Sequence, residues 1–292
     1  MSAAIPSPYD PRVTAAEREI LAMCSGSDWW PTFLRGYLAH AARRVAWNAI
    51  LVDQYLRLGG SWLDLGSFGV EALWLSARRS DIKVRAVSYE GNQLALTQDG
   101  IVHGEPASPV IARVRIDQAD IESEPLAYPD GSFDVVTCFE CIEHLRSTPR
   151  PLLDQIRRLL RPDGLLLLTT PNVVGSRAMI RLLAGKHPQE NPRYHRDPKY
   201  GIVHPKEYTQ RELVALLQAR GLAIVKSKSL YFRPRSPADL VATAIAALTR
   251  PLGGLALGLG AQPVVLGDNL FVIAKPHAGP LEDWPALLFE NA

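Results

Sequence analysis

The sequence predicts an α/β fold, a doubly wound and mostly parallel sheet of seven strands behind an N-terminal helical cap. Three observations carry that expectation. From about residue 60 onward, short apolar runs rich in β-formers alternate with amphipathic helical stretches, the pattern of repeated βαβ units. The first run, SWLDL, ends in the glycine-bearing turn GSFG and passes straight into VEALWLSARR. Before residue 58 the apolar spacing is helical throughout.

The elements follow in order. Residues 1–12 carry three prolines and read as a loose arm. From Val13 to about Leu58, apolar residues at helical spacing predict two or three helices broken near Pro31. After SWLDL come VRAVSYEGN, VRIDQAD, FDVVTCF and LLLLTTPN, four more short strands. The helix PLLDQIRRLLRPDG leads into the last of these, with its end expected at Pro162 and Gly164. In TQRELVALLQARG, Thr209 is the expected N-cap, Glu212 completes a capping box and Gly221 ends the helix. LAIVKSKSLYF and DNLFVIAKP read as an antiparallel pair closing the sheet. The expected division is an arm and cap (1–58), a main domain (59–278) with a lid at 186–208 and an apolar insert at 236–266, and a tail (279–292).

Composition narrows the function classes. At 47% hydrophobic and 21% charged, the 292 residues hold ample material for a core. A net charge of +2 and the lack of a sustained basic stripe argue against nucleic acid as a partner. The three cysteines (Cys24, Cys138, Cys141) are expected as buried, reduced thiols, and CFEC has no second pair to make a metal site. The start MSAAIPSPYDPR lacks a basic stretch followed by an apolar core, so the expectation is a cytoplasmic protein without a leader.

The most unusual stretch is CFECIEHL (138–145), at the carboxyl end of the fourth strand, where open α/β sheets bind ligands. If it opens a helix, Glu140, Glu143 and His144 share one face at i, i+3 and i+4. Three ionisable groups crowded together after an apolar run are costly to desolvate.

WLDLGSFG, YEGNQL, ADIESEPLAYPDGSFDVV, RRLLRPDGLLLLTTPN and HPKEYTQRELVALLQARGL together resemble the class I S-adenosylmethionine-dependent methyltransferases over roughly residues 60–230. That resemblance implies a Rossmann-like fold and S-adenosyl-L-methionine as cofactor. It implies cofactor contacts at Asp64, Gly66, Ser67, Gly69, Glu90, Asp120 and Ile121. A glycine turn lets backbone N–H groups approach the cofactor's carboxylate, and acids at the next strand ends accept from ribose hydroxyls and the adenine amino group. Two positions depart from the family pattern. Phe68 and Val70 stand where glycines are usual, and Ser88 stands where the ribose acid falls, Glu90 lying two residues on. Either Gly69 and Glu90 serve instead, or cofactor binding is weakened.

The Glu-x-x-Glu-His turn resembles two subfamilies, the ubiquinone-biosynthesis O-methyltransferases and the small-RNA 2′-O-methyltransferases. The resemblance implies a divalent metal (Mg²⁺ or Mn²⁺) held by Glu140, Glu143, His144 and His204, with His195 a second candidate for the last position. Two other readings stay open for His144 and Glu143: a metal-free catalytic base with its carboxylate, or a packing role. The function implied is O-methyl transfer to a hydroxyl of a small molecule, sugar or glycan; the rival is a non-catalytic binding protein that keeps the fold.

Lys186, His187, Arg193, Tyr194, His195, Arg196, Lys199, Tyr200 and Lys206 in the lid suit a sugar, a phosphorylated group or an acidic small molecule. Segment 238–261 is apolar but interrupted by Arg250, Pro251 and glycines, which does not suit a spanning helix. It is expected to seek a surface or cover the substrate, which points to a lipid-linked or amphipathic acceptor and peripheral membrane contact.

Overall fold

The apolar runs that alternate with helices pair side by side in the computed structural model, which describes residues 4–25, 32–66, 68–88, 101–103, 113–189, 204–256, 266–279 and 281. Strands β1 (Ser61–Leu65), β2 (Lys83–Ser88), β4 (Arg113–Gln118), β5 (Phe133–Phe139) and β6 (Leu160–Pro171) run parallel. Strands β7 (Leu222–Leu230) and β8 (Asn269–Pro276) close the sheet as the expected antiparallel pair. The order is β3-β4-β2-β1-β5-β6-β8-β7. The seven strands expected are therefore joined by an eighth, β3 (Ile101–His103), which pairs antiparallel with the β4 edge. Three residues are too few to show a period in the sequence.

β1 and β5 are buried almost throughout, as parallel strands covered on both faces must be. Successive residues divide between two cores: Trp62 packs with the N-terminal helices, and Leu63 with the helices on the other face. On the first face lie α1 (Pro11–Ser25), α2 (Thr32–Tyr55) and α3 (Val70–Ser76). On the other lie α4 (Arg150–Leu159) and α6 (Gln210–Ala219), whose Leu152, Leu153, Ile156, Leu213 and Leu217 are buried. Thr209 and Glu212 form the expected capping box.

The N-terminal cap shares its core with the sheet. Trp47 is fully buried, edge-on to Phe232 at 5.4 Å and Phe271 at 5.0 Å. Burying a side chain of this kind contributes about 1.5–3 kcal/mol. Its indole N–H donates to Pro6 O at 2.9 Å, so the described part of the arm is tied down rather than loose. The helix expected to end at Pro162 and Gly164 ends earlier, at Leu159; both residues lie in β6, where the register with β5 shifts between Phe133 and Val135.

What positions the site is the switch point between β1 and β5. The chain winds outward from β1 through β2 and β4, then returns to place β5 on the opposite side. Leu65 and Cys138 are register partners, so the turns leaving β1 and β5 emerge side by side.

Candidate functional site

The turn leaving β1 needs glycine at two places, Gly66 and Gly69, both left-handed at φ 71° and 75°. An added Cβ on Gly66 would fall 2.8 Å from Cys141 Cβ, so this turn packs directly on the turn leaving β5. The Phe68 ring meets Tyr37 of α2 edge-on at 5.6 Å. Behind the turn, Asp64 is buried and accepts from Thr137 Oγ1 at 2.6 Å; Thr137 in turn accepts from Trp62 Nε1 at 2.9 Å. Asp64 and Gly66 line a small cavity of about 40 Å³ with Asn48 and Glu71. Burial pushes the Glu71 carboxyl up, against the hydrogen bond from Asn48 Nδ2 at 3.1 Å.

A larger cavity, about 560 Å³, opens over the same strand ends, within the range of about 300–1,000 Å³ usual for small-molecule and cofactor sites. Gly66, Phe68 and Ile121 line one part of it; Glu143, His144 and His204 line another. Ile121 follows Asp120 after β4. Burial pushes the Asp120 carboxyl up, but the Glu122 N–H (3.0 Å), Ser123 and the Arg146 guanidinium (2.8 Å) together hold it below its ordinary value. Arg146 also pairs with Glu122, locking the turn after β5 to the loop after β4. Ser88 ends β2 fully buried. Ser67, Glu90 and His195 lie outside the described residues, as do 190–203 of the lid.

The turn CFECIEHL departs from the expectation of a helix from Glu140. β5 continues through Phe139, and the Glu140 N–H still bonds to Thr169 O of β6 at 2.9 Å. The chain then breaks sharply, with Glu140 left-handed at φ 47°, and only Ile142–His144 form a 3₁₀ turn. Glu140 therefore does not share a face with Glu143 and His144. Its carboxylate pairs with Arg44 of α2 and accepts from Asn269 Nδ2 at 3.0 and 3.1 Å.

The other three candidates come together. One ligand atom each from Glu143, His144 and His204 lie within 4.8 Å of one another. Glu143 is 1% exposed; its Oε2 accepts from Thr170 Oγ1 at 3.0 Å, and its Oε1 has no hydrogen-bond partner among the described residues. A buried carboxylate oxygen left so is costly unless a cation or proton reaches it. The His144 and His204 rings meet at 4.7 Å, and Glu207 Oε1 lies 2.8 Å from His204 Nδ1. Since a carboxylate accepts, that contact fixes the proton on Nδ1 and assigns Nε2 as the nitrogen for a ligand or proton. One carboxylate and two imidazoles thus meet at one wall of the cavity, a donor set suited to a divalent cation.

Cys138 and Cys141 are buried and free of disulfides. The hydrogen bond with Cys141, together with burial, holds the Cys138 thiol well above its ordinary value, which suits packing rather than nucleophilic chemistry. Sequence reasoning missed Tyr37, His40 and Arg44, which line the cavity from α2, and Glu207. The α2 residues recur at i, i+3 and i+7, a spacing that puts them on one helix face, and HPKE sets Glu207 three residues after His204.

The family model for a methyltransferase domain matches residues 18–227. A probable S-adenosylmethionine-dependent methyltransferase of Mycobacterium tuberculosis is 34% identical over 123 residues, 42% of this chain and 38% of the relative. A ubiquinone biosynthesis O-methyltransferase of Xanthomonas euvesicatoria is 32% identical over 114 residues, 36% of this chain and 41% of the relative. The matches thus span well under half the length of these curated relatives. Among solved structures, the [4+2]-cyclase SpnF superposes with a TM-score of 0.51 at 18% identity, covering 96% of this chain and 100% of that one, a likeness of fold alone. With a family match that takes in most of its length, from the cap to β7, the chain belongs to the methyltransferase-domain family.

Proposed function

We propose that the chain transfers a methyl group from S-adenosylmethionine to a hydroxyl oxygen of a small molecule, sugar or glycan, with a divalent cation at Glu143, His144 and His204. The observation that carries this reading is the buried Glu143 Oε1, without a hydrogen bond among the described residues and 3.9 Å from His144 Nε2, in a cavity that reaches the Gly66 turn. The relatives' names, a methyltransferase and an O-methyltransferase, support the same direction.

The residues present fit both groups. S-adenosylmethionine supplies a methyl group already activated by its sulfonium. Gly66 and Gly69 keep the turn after β1 open for close backbone approach, Asp120 and Ile121 would meet the adenine, and Tyr37 and Arg44 face the cavity from α2. The cation supplies Lewis-acid polarisation that lowers the pKa of an acceptor hydroxyl. Glu143 would hold it through Oε1, braced by Thr170, and His204 through Nε2, oriented by Glu207. His144, a quarter exposed at the cavity wall, would complete the set as the third ligand. Phe68 and Ile121 keep water from the methyl donor's side. Glu140, held by Arg44 and Asn269, straps the cap to the site and is not used as a ligand.

Titration of S-adenosylhomocysteine by calorimetry tests the cofactor half. Activity that falls with EDTA and returns with Mg²⁺ or Mn²⁺ tests the metal half. A second reading is favoured by the His144–His204–Glu207 chain, which resembles a proton relay. In it His144 is a metal-free general base, and EDTA leaves turnover unchanged while His144→Ala abolishes it.

A further inference from the structure

Helix α7 (Pro237–Ala256) turns Asp239, Ala242 and Ala246 inward, all buried. Leu240, Val241, Ala244, Ala247 and Leu248 point outward at i, i+1, i+4, i+7 and i+8, one continuous face without a charge. Leu240 and Val241 are each 58% exposed and Leu248 73%. Beside it, α5 (Ser176–Leu183) ends in Leu182 and Leu183, 62% and 65% exposed. Five of the ten large apolar side chains exposed among the described residues thus fall on two helices, a concentration that solvent alone does not explain.

The two helices are fastened to each other. Asp239 accepts from Ser176 Oγ at 2.6 Å, from Ser236 N at 2.6 Å and from the Arg233 guanidinium at 2.7 and 2.9 Å. The apolar face is therefore fixed in orientation by a buried polar knot. The exposed charges of its two segments have one sign. Across 176–189 and 231–248 the charged residues are Arg177, Arg181, Lys186, Arg233, Arg235 and the fully buried Asp239. Arg177, Lys186 and Arg235 are exposed. The face is also continuous with the cavity: Arg177, Ala178 and Arg181 of α5 and Phe232 and Arg233 ahead of α7 line its wall. No described helix is long and apolar enough to cross a membrane, so α7 is suited to lie in an interface rather than span one.

We propose that the outer face of α5 and α7 docks on an anionic bilayer, and that the methyl acceptor is a membrane-held amphiphile whose hydroxylated head enters the cavity beside α5. The leucines and Val241 enter the headgroup region, and Arg177, Lys186 and Arg235 meet the lipid phosphates. The docking surface stands on the exposed faces alone; the acceptor assignment rests on the methyl-transfer reading above.

The test is flotation of the purified full chain with vesicles of phosphatidylcholine, and of phosphatidylcholine mixed with phosphatidylglycerol. The chain is expected to float with the anionic vesicles and to release as salt rises. The triple variant Leu240→Gln, Val241→Gln, Leu248→Gln is expected to lose vesicle affinity by about tenfold or more, with its melting temperature and its binding of S-adenosylhomocysteine unchanged. No flotation with either vesicle, or a variant that floats as well as the parent, overturns the docking surface. So does a parent dimer that the variant dissolves without vesicle binding, since the face is then a self-contact. Flotation without any heat from S-adenosylhomocysteine supports the surface and overturns the acceptor assignment.

Discussion

The two turns at the switch point are neighbours in space and opposites in chemistry. The turn leaving β1 is made of backbone: Gly66 and Gly69 in left-handed conformations, with Gly66 N bonded to Val87 O at 2.9 Å. The turn leaving β5 is made of charge: two carboxylates and an imidazole within five residues. The bond to Val87 ties Gly66 of the first turn to β2 through backbone atoms alone. The second turn is met by other elements, Glu140 by Arg44 and Asn269, Glu143 by Thr170, and His144 by the ring of His204. A site that approaches a ligand with backbone can be read from its own residues; a site that holds charge depends on what the rest of the fold brings to it.

The comparison breaks most severely at Gly66. Gly66→Ala should cost about 3 kcal/mol of stability, combining a left-handed backbone penalty of ~1–2 kcal/mol with an overpacking cost of ~1–3 kcal/mol against Cys141. Cofactor binding should fall with it. Denaturant unfolding that shows a loss under ~1 kcal/mol would mean the turn relaxes and the packing on Cys141 is incidental.

Next in size is Glu143→Gln, which keeps the shape and the Thr170 contact but removes the charge. Turnover should drop by about a hundredfold, ~2.7 kcal/mol of barrier, with S-adenosylhomocysteine affinity nearly unchanged. An equal loss in both would make Glu143 a structural support of the cofactor side rather than part of the acceptor side.

Glu140→Gln separates the two carboxylates of the same turn. A broken buried pair costs about 3–5 kcal/mol, but both side chains here keep 13% exposure, so a loss nearer ~2 kcal/mol is expected. Stability should fall while per-molecule turnover changes severalfold at most. A double-mutant cycle with Arg44→Met measures the coupling directly. Turnover lost as completely as in Glu143→Gln would return Glu140 to the reacting centre.

These contrasts mark how far the sequence could be read. The alternation of strands and helices and the closing antiparallel pair were visible in the apolar runs, and Glu143, His144 and His204 were named by the family resemblance. The helix expected from Glu140 was not formed, because the length of β5 is set by pairing with β6 through Thr169, a contact thirty residues away in the chain. The cap's contribution was hidden for a similar reason. Tyr37 and Arg44 sit on a helix whose spacing reads as core, and only its docking over the strand ends turns them toward the cavity. β3 was invisible because its three residues gain their conformation from β4.

The smallest expected effect concerns Phe68, where the family pattern has glycine. The departure raised the prospect of weakened cofactor binding. Left-handed conformations occur at 66 and 69, and both positions have glycine. The ring at 68 instead packs edge-on against Tyr37, joining the turn to the cap. Such an aromatic pair contributes about 0.5–1.5 kcal/mol beyond its burial. Phe68→Ala should therefore lower stability by roughly 1–2 kcal/mol and shift S-adenosylhomocysteine affinity by less than about threefold, under 0.7 kcal/mol. A tenfold gain in affinity would show that the ring obstructs the cofactor. A tenfold loss would make Phe68 a cofactor contact in its own right, and the turn after β1 would then depend, like its neighbour, on a side chain as well as on its backbone.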